Sequence, residues 1–146
     1  MIPKFRAWLK KEQKMDNEID HISWLEDELY CIGDGITYMV LAEDLVPMQS
    51  TGLKDKNGKE IFEGDIITTN AYACIVGFGE YTYFEDEDTQ TTAIGFYLSF
   101  LNITPATYAP FEKFYWDNCE VIGNIHENEL DLIMYEAWKF NKELGE

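Results

Sequence analysis

The chain has 146 residues, 46% of them hydrophobic and 15% aromatic, which suits one domain with a packed core and excludes a disordered chain. Acidic residues outnumber basic ones 28 to 11, for a formal net charge of −17, a field that repels nucleic-acid phosphates and attracts basic partners. "MIPKFRAWLKK" shows no apolar leader, no apolar run is long enough for a membrane span, and Cys31, Cys74 and Cys119 stand far apart, so the expected setting is a reducing cytosol with no membrane contact.

In chain order, "KFRAW" (Lys4–Trp8) alternates polar and apolar residues and predicts a short strand, while "KKEQKMDN" predicts a polar turn. Ile19–Trp24 and Glu28–Ile32 predict paired strands linked through "LED", and "GDG" (Gly33–Gly35) breaks the run. Ile36–Leu45 fits either a strand or a short helix, and "LVPMQST" resumes an extended course. In "DKNGKEIFEGDII", Asn57-Gly58 predicts a hairpin tip of type I′, which needs positive φ at both residues. Gly64 then permits a bend, Asp65 bonds local backbone where the next strand starts, and Ile66 and Ile67 join the sheet.

"AYACIVGFGEYTYF" and "TTAIGFYLSFL" predict a long antiparallel pair joined by "EDEDTQT", with Gly77 and Gly79 as places for curvature or a bulge. Residues 102–118, with Pro105 and Pro110, read as a long loop carrying an aromatic patch, and "EVIGNI" as a closing strand. From Asn128 the period changes. Leu130, Ile133, Met134, Ala137, Trp138 and Asn141 predict a helix over about 128–144, with Asn128 as N-cap and Lys139 and Lys142 in the last turn. One domain, residues 1–146, is expected, β-rich to 126 with this helix at its end.

The blocks Phe5–Trp8, Gln49–Ile67, Gly95-Phe96 and Val121–Asn128 ("VIGNIHEN") together resemble the YopX family of bacteriophage and prophage proteins. The order of the blocks matches, with His126 where Tyr is usual and Glu129 where Pro is common. The resemblance implies a mainly β fold, a small SH3-type β-roll or barrel with added strands and a C-terminal α-helix, in a phage or prophage protein. It implies no established activity and no known active residue.

For chemistry, the densest feature is Glu80, Glu85, Asp86, Glu87 and Asp88 with Tyr81 and Tyr83 interleaved, a candidate interaction surface for a basic partner. The expected function is therefore a non-enzymatic protein-interaction module, binding a basic partner or itself, with no cofactor, no metal and no catalytic residue. Two alternatives stand beside it. Glu63 and Asp65, two apart, could serve a metal-dependent enzyme as carboxylate ligands. The basic residues 1–14 with Phe111, Phe114, Tyr115 and Trp116 could bind nucleic acid by charge and stacking, against the field of the rest of the chain. His21 and His126 are isolated, and "GFG" (Gly77–Gly79) lacks the third glycine of a phosphate loop.

Overall fold

The computed structural model describes residues 4–17, 19, 21–25, 28–33, 39–69, 72–101, 103 and 105–127, so the helix expected over 128–144 lies outside the described residues. The chain forms two units, residues 1–50 and 51–146.

In the first unit, β1 (Phe5–Leu9) and β2 (Lys14–Asp16) form an antiparallel hairpin with Ala7 opposite Asp16 and Leu9 opposite Lys14. The polar turn expected over residues 10–17 is thus shorter than its composition suggests. Gln13 takes a left-handed φ of 54° and closes the turn by donating its N–H to the Leu9 carbonyl at 2.8 Å, which returns Lys14 to the ladder. β3 (His21–Leu25) and β4 (Glu28–Gly33) pair antiparallel as expected. The ambiguous segment is divided between both alternatives, a strand β5 (Met39–Leu41) and a 3-10 turn at Ala42–Asp44. β6 (Leu45–Lys54) then pairs with β1 from Leu9–Leu45 to Phe5–Gln49 and runs on past the division. Ala7, Leu9 and Leu45 form this unit's core, with Ile19 and Val40 packed on it.

In the second unit, β7 (Glu60–Phe62) follows the tight turn, and β8 (Asp65–Thr68) begins a five-stranded antiparallel sheet. The remaining elements are β9 (Ala73–Phe84), β10 (Gln90–Phe100), β11 (Tyr108–Pro110), α1 (Lys113–Asn118) and β12 (Glu120–Asn124). The sheet order is β11-β10-β9-β8-β12. β9 and β10 form the expected long pair, unbroken from Cys74–Phe100 to Phe84–Gln90. At its base the sheet is apolar on both faces. One face carries Cys74, Val76 and Leu98, packed with Ile61, Ile67 and Cys119, and the other carries Ala73 and Leu101 with Ile66. Among the described residues the fold is mainly β and antiparallel.

Two expectations are corrected here. The tip at Asn57-Gly58 is not type I′. Among the described residues only Gln13 is a non-glycine with positive φ, so Asn57 keeps negative φ while Gly58 sits at 84°. Gly58 donates to the Asp55 carbonyl at 3.0 Å and Asp55 N–H to the Lys59 carbonyl at 2.8 Å, a type I turn followed by a left-handed glycine. The side chain of Asp55 selects this form by accepting N–H bonds from Asn57 and Lys59. Residues 102–118, read as loop, contain β11 and α1. Pro110 sits at the sheet edge opposite Tyr97, where a missing N–H is tolerated. The six-residue α1 has no side-chain N-cap bond and is held by Tyr115 and Trp116 packing on the core.

Candidate functional site

The charged block between β6 and β8 is a structural clamp. Asp55 is 6% exposed, and its Oδ1 accepts N–H bonds from Asn57 at 2.9 Å and Lys59 at 2.8 Å while Oδ2 accepts that of Val121 at 2.9 Å. Lys56 N–H adds a bond to the Cys119 carbonyl at 3.0 Å. The "DKNGK" turn and the "VIGN" strand, 66 residues apart at the Asp55–Val121 bond, are thereby fastened together. Asp65, 1% exposed, accepts the Phe62 N–H on Oδ2 at 2.8 Å and closes the "EGD" turn. This carboxylate faces backbone, and among the described residues no group of three or more His, Cys, Asp or Glu side chains is placed to hold a metal.

The thiols of Cys74 and Cys119 are core groups. Burial first, and then the neighbouring Cys119, push Cys74 up to about 12. Burial, followed by the charge of Asp55, pushes Cys119 up to about 11. Both values lie well above neutral pH, as suits thiols packed in the core. The aromatic patch packs on the core: Phe111 is buried, with its ring 5.7 Å edge-on from Trp116, and the half-buried Tyr115 meets Phe100 at 6.5 Å.

A groove of about 650 Å³ lies open to solvent on the β9–β10 hairpin, lined also by Pro105–Tyr108. Tyr81 stacks on Tyr97 at 5.0 Å and on Tyr83 at 5.7 Å, and Tyr108 meets Tyr97 edge-on at 5.8 Å. The register explains the row. Residues 77, 79, 81 and 83 share a face by strand alternation, and Tyr97 lies opposite Gly77 on that face. Gly77 leaves the space that the Tyr97 ring fills, since a Cβ there would stand 2.5 Å from the ring. Gly77→Ala is therefore expected to lift Tyr97 off the strand and break its stacking on Tyr81, at a cost of about 1–2 kcal/mol of overpacking. Near-UV circular dichroism should lose tyrosine signal while the far-UV spectrum is kept; an unchanged near-UV spectrum would refute the arrangement.

Carboxylates surround these rings. Burial first, then the charge of Glu112, raises the Tyr81 hydroxyl above its ordinary range. Tyr83 is raised as well, by desolvation and then by Glu85, whose Oε1 accepts its hydroxyl at 3.4 Å. Of the seven residues singled out in the sequence, Glu80, Tyr81 and Tyr83 line the groove and Glu85 adjoins it. Asp86 is used by the loop itself, its Oδ1 accepting N–H bonds from Asp88 and Thr89 at 2.9 and 2.8 Å, which holds it below the usual carboxylate range. Glu87 and Asp88 are exposed at the tip, outside the groove. Tyr97, Tyr108 and Glu112 are functional candidates that sequence reasoning misses. The signal for Tyr97 was its place opposite a glycine once the hairpin is centred on the acidic loop.

No lysine, arginine or histidine occurs between Lys59 and Lys113, so every charged residue of this sheet and its loops from 60 to 112 is acidic. Aromatic faces beside carboxylates favour a cation.

A family model described as YopX protein matches residues 4–131. Among solved structures, the crystal structure of protein EF1440 from Enterococcus faecalis is similar to this chain, with 30% sequence identity, coverage of 90% of this chain and 99% of that one, and a TM-score of 0.51. Comparison with curated proteins finds no match.

Proposed function

The chain belongs to the YopX family, and from that premise we propose that it is a non-enzymatic accessory protein of phage or prophage origin that binds a basic protein partner in the bacterial cytoplasm. We read its second unit as a small SH3-type barrel whose long hairpin presents the binding groove. The observation that carries the reading is the tyrosine row of Tyr81, Tyr83, Tyr97 and Tyr108, set among Glu80, Glu85 and Glu112 with no basic side chain among the described residues that line the groove. A lysine or arginine of the partner would lie on the rings and be neutralised by the carboxylates. Each such cation–π contact is worth about 0.5–2 kcal/mol, depending on desolvation.

The test is titration calorimetry with an arginine-rich peptide at low and high salt, on the native chain and on Tyr81→Ala and Tyr97→Ala. The expected result is binding that weakens about tenfold or more between roughly 50 and 300 mM salt, and a further loss of roughly 3- to 30-fold in either variant, as one cation–π contact requires. Binding that ignores both tyrosines would refute the groove as the site. No binding of basic peptides at any salt would refute the reading.

A further inference from the structure

The β9–β10 hairpin outruns the sheet that carries it. β8 pairs with β9 only over Ala73–Ile75, with Gly64 N–H reaching the Val76 carbonyl, and β11 pairs with β10 only over Tyr97–Ser99, with Phe111 N–H reaching the Phe96 carbonyl. Beyond those points, among the described residues, the two strands continue as a ribbon whose outer edges make no backbone bond. The direction of the unpaired groups follows from the bonds that are made. Phe96 accepts from Phe111 and Phe100 donates to Thr107, so even-numbered residues of β10 turn their N–H and C=O outward, away from β9. Gln90, Thr92 and Ile94 therefore present an open edge in line with β11. The Ile94 side chain is 77% exposed. A two-stranded ribbon is marginal by itself, and an open edge with an apolar side chain on it is a template for another strand.

We propose that this edge of β10, at Thr92 and Ile94, accepts an extended basic segment of the partner as an added strand, with β-branched side chains alternating with arginine or lysine. The proposal rests on the function proposed above and specifies how the partner is held. Partner residues paired with Thr92 and Ile94 place their side chains beside Ile94 on one face. The intervening residues fall on the tyrosine face, opposite Thr91 and Ala93, whose partners on β9 are Tyr83 and Tyr81. Neighbouring strands lie about 4.8 Å apart. A long basic side chain therefore extends across the small Ala93 to the Tyr81 ring, and its length is what that row selects. Charge decides between occupants. A second copy would bring two ribbons together whose only charged residues, Glu80, Glu85, Asp86, Glu87 and Asp88, are acidic, whereas a basic strand complements them.

The experiment uses the full chain labelled with nitrogen-15 and an eight-residue peptide alternating threonine and arginine, with two counterparts N-methylated at the threonines or at the arginines. Strand addition predicts that saturating peptide slows amide hydrogen exchange at Thr92 and Ile94 by tenfold or more. It also predicts that methylation at the threonines, whose N–H groups face β10, weakens binding tenfold or more, and that methylation at the arginines changes it less than threefold. Binding that perturbs Tyr81 and Tyr97 without protecting Thr92 and Ile94, and that tolerates methylated threonines, overturns strand addition and leaves the groove reading standing. Absence of binding overturns both. Protection of Thr92 and Ile94 that grows with protein concentration before peptide is added assigns the edge to a second copy and overturns the proposal.

Discussion

Replacing Asp55 by alanine is expected to destabilise the fold by about 3–5 kcal/mol, because a buried carboxylate that answers three backbone donors disappears. The loss is not shared evenly. Asn57 and Lys59 lie at an exposed turn, where water can take over their N–H groups. Val121 is 9% exposed within β12, so its N–H has no such recourse. The substitution also removes the device that selects a type I turn with a left-handed Gly58. Asp55→Asn should cost less, about 2 kcal/mol, since the amide keeps one accepting oxygen but sets its NH2 against a donor. Urea unfolding of the three chains, with the slope held constant, checks this. A change below about 1 kcal/mol for the alanine variant would mean that the clamp is a consequence of the fold and not a cause.

Acid should reproduce part of that loss. Burial pushes the Asp55 carboxyl up, but the bonds from Val121, Lys59 and Asn57, with the charge of Lys59, outweigh it and hold the group below its ordinary 3.8. A carboxylate depressed in the folded state stabilises fully above its unfolded value, and the contribution is lost as pH falls through the folded one. The stability gap between the native chain and Asp55→Ala should therefore be flat from about pH 6 to 8 and narrow below about pH 4. A gap that instead widened on acidification would contradict the depressed carboxyl.

How much of this is legible in sequence depends on whether the deciding contact is local. The β9–β10 pair is legible because its alternation runs for a dozen residues on each side of an acidic loop, and the family blocks are legible as strings. The turn at Asn57-Gly58 departs from type I′ because the rule for two-residue hairpins considers backbone preference, while the Asp55 side chain decides the form. α1 escapes because six residues show no helical period, and Phe111, Tyr115 and Trp116 hold it from outside. β2 escapes because the three residues of "KMD" are too few to show a period, its strand being completed by pairing with β1. The candidate site divides along the same line. Tyr81 and Tyr83 are visible as an interleaved motif, but Tyr97 enters only through the cross-strand register and Tyr108 only through the return of the chain along β11.

Gly64→Ala is the second substitution expected to be severe, at about 2–4 kcal/mol, combining left-handed backbone strain with a methyl added at a buried position. Gly64 has a φ of 87° and is buried in the "EGD" turn. Its N–H donates to the Val76 carbonyl at 2.8 Å and its carbonyl accepts the Ile125 N–H at 3.0 Å. One residue thus ties the turn before β8 to β9 on one side and to the residue after β12 on the other. Alanine can relieve its strain only by rotating that peptide, which breaks one or both bonds. Chemical synthesis offers a separation of causes, since D-alanine at 64 favours positive φ and carries only the added methyl. If strain dominates, the D-alanine chain should recover most of the stability lost with L-alanine, and the Ile125 amide should exchange as slowly as in the native chain. Equal losses for both isomers would place the cost in packing and remove the left-handed turn from the account of why this block has the sequence it has.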